Sequence, residues 1–176
     1  MTEILTSRLR LRSLTLADLD AVATIWADPE VMRYITGEPR SRQASEARLQ
    51  RLIDHEVTHG FGIWAAVDAQ DQLLGYCGLQ YLDNTPEIEV GYGFAKVHWG
   101  KGLATEAAIA SVSYGFCNLA LGRIVAIAHP QNLASRHVIE KLGMQYEKMA
   151  RFYNTDVVYY GLNRDQWKAL NNGSAD

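Results

Sequence analysis

A chain of 176 residues, 48% hydrophobic and 21% charged, has the size and composition of one globular domain and is too apolar for long disorder. Its formal charge of −3 gives no global drive toward nucleic acid or an acidic membrane, so neither is expected as a partner. No apolar run approaches the ~20 residues that span a bilayer, and the opening MTEILTSRLRLR lacks a signal-peptide core, so a cytoplasmic location is expected. Cys77 and Cys117 stand far apart in apolar surroundings and read as buried free thiols, neither a disulfide frame nor a metal site.

Residues 8–12 alternate Arg and Leu, the pattern of a strand with one wet face. Thr15, with Asp18 three residues on, opens a helix whose inward stripe is Leu16, Leu19, Val22, Ala23 and Trp26, and Asp28-Pro29 stops it. A second helix runs from about Ser45 to His59 and ends at Gly60. FGIWAAVDA and LLGYCGLQYL flank the polar Gln70-Asp71-Gln72 as a hairpin, and PEIEVGYGF follows as another strand. A Gly-rich turn then leads into a helix with Ala108, Ile109, Val112, Phe116 and Leu119 inward, closed by Gly122. RIVAIA is a short strand of the kind buried on both faces. Pro130-Gln131-Asn132 opens a helix with Val138, Ile139 and Leu142 inward and Gly143 at its end, and β runs at 146–153 and 157–163 follow. The order β-α-α-β-β-β-α-β-α-β-β predicts one mixed α/β domain over residues 1–170 around a single sheet, with 171–176 as a flexible tail.

The most informative stretch is Trp99-Gly100-Lys101-Gly102-Leu103-Ala104-Thr105-Glu106. Lying between a strand and a helix, it includes the unsatisfied amides of a helix N-terminus, which favour a phosphate, and Gly100 and Gly102 permit close backbone approach. A plain tight turn is the alternative, since neither a Walker loop nor GxGxxG is present. In EIEVGYGF, alternation sets Glu87, Glu89, Gly91 and Gly93 on one face, leaving an open floor beside Glu89 that suits a general base, with a solvated strand face as the alternative. Ser135 falls on the inward stripe of the last predicted helix, while Ser135 and Asn132 equally suit helix capping.

Together these residues resemble the GNAT superfamily of acetyl-CoA-dependent N-acetyltransferases. WGKGLATEA is similar to the family's cofactor loop, [QR]-x-x-G-x-[GA], with Gly102 and Ala104 in register and Trp99 at the Gln/Arg position. Trp there resembles the branch of ribosomal-protein N-terminal (Rim-type) acetyltransferases and related small-amine acetyltransferases. SRLRLRSL, DPEVMRYI, IEVGY, NLASRHVIEKLGM and DQW extend the likeness over about residues 6–167. The resemblance implies a twisted, mostly antiparallel mixed sheet with helices on both faces, and direct acetyl transfer from acetyl-CoA to a protein N-terminal or small-molecule amine. It assigns the pantetheine arm and acetyl group to Tyr92, Gly93 and Phe94, and the pyrophosphate to the loop from Trp99 through Gly100, Lys101, Gly102, Leu103, Ala104 and Thr105. Asn132 and Ser135 would lie near the thioester sulfur, and Glu89 would take the amine proton through water. No metal is implied, and the protein would be a monomer or homodimer.

Two departures stand out. The family's frequent Tyr acid, seven residues after the Asn, is Ile139, so Ser135 or water must serve. This leaves open an acyl-CoA-binding sensor with little transfer activity. The Glu that some ribosomal-protein acetyltransferases use on the strand after the last helix falls near Arg151, with Tyr153 a spare acid or a packing residue. His55-Glu56-Val57-Thr58-His59 matches HExxH, but the third ligand position of the extended motif is Ala65, and a solvated helix end is expected instead. His137 should be exposed, and His98 and His129 read as loop residues. The arginines at 33, 40, 42, 48 and 51 are interspersed with acids and read as a solvated mixed-charge surface.

Overall fold

The computed structural model describes residues 3–172. Its strands are β1 (Glu3–Leu5), β2 (Arg10–Arg12), β3 (Ile63–Val67), β4 (Leu73–Tyr81), β5 (Ile88–Phe94), β6 (Arg123–Ala128), β7 (Gln145–Phe152) and β8 (Thr155–Asn163). They form one sheet in the order β1-β2-β3-β4-β5-β6-β8-β7. Every neighbouring pair is antiparallel except β5 and β6. The helices are α1 (Leu19–Trp26), α2 (Pro29–Met32), α3 (Arg42–His59), α4 (Leu103–Cys117), α5 (Leu133–Lys141) and α6 (Arg164–Asn172).

Helices cover both faces, which explains why the central strands read as apolar runs. On one face Val22, Ile25, Trp26, Met32, Leu49 and Leu52 from α1–α3 pack on Ile63, Ala65 and Val67. On the other, Ala107, Ala108, Val112 and Phe116 of α4, Ile139 of α5 and half-buried Trp167 of α6 pack with Leu11, Trp64, Cys77, Leu79, Val90 and Phe94. A smaller cluster of Leu82, Val125 and Tyr159 joins β6 to the β7–β8 hairpin.

Several expectations change. β1 is too short to announce itself, α2 is one turn capped by the Asp28 side chain, and α6 was read only as the closing DQW. The first predicted helix divides into a 3-10 turn at Leu16–Asp18 and α1. Ser41, accepting from the Ala44 amide at 3.2 Å, starts α3 three residues before the predicted point. α4 ends at Cys117, leaving Cys117 exposed instead of buried, and Ile109 is exposed while Ser111 occupies the buried stripe. Asn171 and Asn172, expected in the tail, close α6, and the rest of that tail lies outside the described residues. No helix among the described residues is long and apolar enough to cross a membrane.

Candidate active site

β5 and β6 run side by side at a single register point, Glu89 opposite Val125, and part beyond it. Leu82 N–H donates to Glu87 C=O and Ala95 N–H to Leu74 C=O, so the odd-numbered residues of β5 bond to β4. Antiparallel alternation therefore turns the backbone of Tyr92 and Phe94 toward β6 and that of Gly93 toward β4. Beyond Glu89, no strand among the described residues pairs with that edge. A parallel pair that splays leaves hydrogen-bonding groups able to take an extended amide-bearing ligand. The Phe94 carbonyl accepts from the Trp99 indole at 2.8 Å, fixing the loop that follows.

Glu89 lies at the fork and is only 5% exposed. Its Oε1 accepts from Gln80 Nε2 at 2.8 Å and from the Tyr153 hydroxyl at 2.7 Å. Arg48 Nη2, from α3, donates to Gln80 Oε1 at 3.1 Å, so one amide links guanidinium and carboxylate. Burial pushes the Glu89 carboxyl above its usual range, and Asp83 adds to this. Tyr153, Gln80 and Arg48 oppose it. Tyr153 projects from the β7–β8 turn with φ +49, and it is locked reciprocally to the β4–β5 turn. Its N–H donates to Asp83 Oδ2 at 2.9 Å, and the Asp83 N–H donates to its hydroxyl at 2.8 Å. Burial first and the Glu89 charge second push the Tyr153 phenol upward, so it remains a neutral donor. The floor beside Glu89 is less open than alternation suggested: a Cβ on Gly93 would lie 2.4 Å from the Tyr76 hydroxyl, which fills that space.

At the turn, Gly100 and Gly102 take φ of +73 and +77, the left-handed region that glycine enters without penalty. Gly102 is the N-cap of α4 and brings no side-chain acceptor, so the first-turn amides of Leu103, Ala104 and Thr105 face outward uncapped. The Trp99 amide donates to Lys96 C=O at 3.0 Å. The Lys101 carbonyl accepts from Arg8 Nη1 at 2.7 Å, and Arg8 Nε reaches Glu106 at 2.6 Å, bracing the turn against the β1–β2 connection. Across the fork, Asn132 Oδ1 caps α5 by accepting from the Ser135 amide at 3.2 Å. The Ser135 hydroxyl faces the sheet, 3.0 Å from the Tyr92 hydroxyl, which also donates to Ser135 C=O at 3.0 Å. The fork thus separates Glu89 on one face from Asn132 and Ser135 on the other.

The HExxH helix end is not simply solvated. Glu56 accepts from Ser13 at 2.8 Å and Trp64 Nε1 at 3.1 Å, and His55 is half-buried with Nδ1 3.0 Å from Phe61 C=O. No three potential metal-ligand side chains converge among the described residues. His129 stacks on Tyr34 at 5.1 Å, tying the segment after α2 to the loop beyond β6, and His137 is exposed. Sequence reasoning placed Glu89 but gave Tyr153 second rank and missed Gln80 and Arg48 as its partners. Gln80 had a signal, since a hairpin register opposes it to Glu89.

A two-faced sheet that forks beside a buried carboxylate, with an uncapped helix N-terminus at the mouth of the fork, sets a proton acceptor, an open strand edge and an anion site around one groove. Residues 8–145 match the acetyltransferase (GNAT) domain, and the chain belongs to this family. It is 38% identical over 163 residues to the uncharacterized protein YkkB of Bacillus subtilis, covering 90% of this chain and 94% of that one. It is 34% identical to the uncharacterized N-acetyltransferase p20 of Bacillus licheniformis, covering 87% and 88%. Among solved structures, the GNAT-family acetyltransferase of Bacillus anthracis superposes with a TM-score of 0.81 at 26% identity, covering 93% of this chain and 99% of that one. The protein is thus an acetyl-CoA-dependent N-acetyltransferase by family.

Proposed function

We propose that the protein moves an acetyl group directly to a primary amine, either a protein N-terminal α-amine or a small-molecule amine, with Glu89 as the general base. The burial of Glu89 at the point where β5 and β6 part carries this reading. A desolvated carboxylate with a raised pKa is a stronger base than one in water, matched to an ammonium that must lose its proton before attack. Acetyl-CoA supplies the thioester electrophile. The backbone edge of Tyr92 and Phe94 suits its amide-bearing arm, and the amides of Gly100 to Thr105 suit its pyrophosphate. Gly93 contributes by making room for the Tyr76 ring beside the strand, and Trp99 by fixing the Phe94 carbonyl. Glu89 then accepts the amine proton through water, while a backbone N–H of the open edge stabilises the developing oxyanion. Asn132 holds the first turn of α5 so that the Ser135 hydroxyl can return a proton to the departing thiolate.

The test is turnover of acetyl-CoA against a panel of amines, read as free thiol. Transfer to at least one primary amine, lost in Glu89→Gln with CoA affinity retained, supports the reading. CoA binding without transfer to any amine overturns it.

A further inference from the structure

Arg48, Arg40 and Arg51 form no ion pair among the described residues, whereas Arg42 pairs with Asp20 at 2.6 Å. Arg48 and Arg51 are three residues apart on α3 and share a helix face, and Arg48 is half-buried. The single side-chain acceptor on Arg48 is Gln80 Oε1, which engages one of its five N–H donors. Of the acids on α3, Asp54 bonds to Gln50 and Glu56 to Ser13 and Trp64, and Glu46 forms no ion pair with Arg48 or Arg51 among the described residues. Burial pushes the Arg48 guanidinium down from its usual range, Tyr76 and Tyr153 oppose this, and the charges of Arg40 and Arg51 add to it. The mixed-charge reading of this segment therefore fails at Arg48, whose guanidinium has no direct ion-pair partner, its nearest carboxylate Glu89 being held one amide away. Buried charges in proteins are paired, so an unpaired guanidinium beside a catalytic groove marks where a ligand anion belongs.

We infer that the acceptor is a small primary amine bearing a carboxylate or comparable oxyanion a few bonds from its nitrogen, and that Arg48 receives the oxyanion while Glu89 takes the amine proton. This rests on the transfer reading above. The Gln80 amide bridges Arg48 Nη2 and Glu89 Oε1 through contacts of 3.1 and 2.8 Å, which brings both charges within reach of one small molecule. It also holds the two opposite charges apart, so that each is free for its own end of the acceptor. A polyamine would meet like charge at the same place.

The test compares kcat/KM for glycine, β-alanine and L-glutamate with their uncharged amides, with spermidine and with an uncharged peptide N-terminus. The acids should be favoured over their amides by about tenfold or more, the worth of one well-placed charge-assisted pair. Arg48→Gln should bring that ratio to within about twofold of unity, with the KM for acetyl-CoA unchanged. Because Arg48→Gln also alters the Gln80 contact, Arg51→Gln is the second variant, and it should lower the ratio while leaving that contact in place. Preference for the amides, spermidine or the peptide overturns the inference, as does a ratio insensitive to both variants or a selective rise in acetyl-CoA KM. Transfer to none of these amines or to any other, with CoA bound, instead overturns the transfer reading itself.

Discussion

The Tyr153 hydroxyl donates to Glu89 Oε1 across 2.7 Å, joining two residues 64 positions apart. One lies on a central strand and the other in a turn at the sheet's edge. The bond makes the base depend on the β7–β8 hairpin, whose tip is in turn locked to Asp83. The geometry of the base is therefore set by two loops as well as by its own strand.

Glu89→Gln keeps an oxygen for Tyr153 and Gln80 but cannot take a proton. Steady-state kinetics should show kcat lowered by about 10²-fold or more with acetyl-CoA KM near wild type. An unchanged rate would remove Glu89 from the mechanism.

Tyr153→Phe deletes a donor that holds the Glu89 carboxyl down against burial. The acid limb of the kcat/KM profile should move to higher pH, with a loss of about tenfold at neutral pH, the value of one hydrogen bond to a charged group. The same raised pKa has a stability consequence. The folded state favours protonated Glu89, so its contribution is complete below the unfolded pKa and is lost as pH rises through the folded one. Melting curves of wild type and Glu89→Gln should therefore diverge in favour of the variant as pH rises.

Glu106 behaves oppositely. Burial pushes it up, but donors from Thr6, the Arg8 amide and side chain, and Ser7 outweigh this and hold it at about 2. The stability it contributes is present above its unfolded pKa and is lost as pH falls through its folded one. Urea unfolding of Glu106→Gln at pH 7 should show a loss of about 1.5–3 kcal/mol that shrinks on acidification.

Gly102→Ala forces a Cβ onto a residue with φ +77, a cost of about 1–2 kcal/mol. The turn should shift, and acetyl-CoA KM should rise several-fold while acceptor preference stays constant.

Cys117 is exposed and Cys77 is buried with its thiol pushed to about 12 by burial. A thiol reagent at pH 8 should modify one cysteine in the native protein and both after unfolding.

Periodicity, with cap and turn residues, identified eleven elements in order, because each central strand and long helix must present an apolar stripe or run to a core. The WGKGLATEA turn was legible for a related reason: glycines with positive φ and a helix start are local properties of the chain. Glu89 and the Ser135 stripe followed from strand and helix periods. What sequence could not contain was the third dimension of the site. Only the packing of α3 on the sheet brings Arg48 to Gln80, and only the strand order β6-β8-β7 brings Tyr153 to Glu89. The same limit applied to α4, where a stripe drawn by period placed Ile109 inside, whereas the helix's rotation on the sheet turned Ser111 inward, beside Cys77. Local rules fix which face is apolar. Which distant polar groups meet across that face depends on how whole elements pack, and that is a property of the assembled fold.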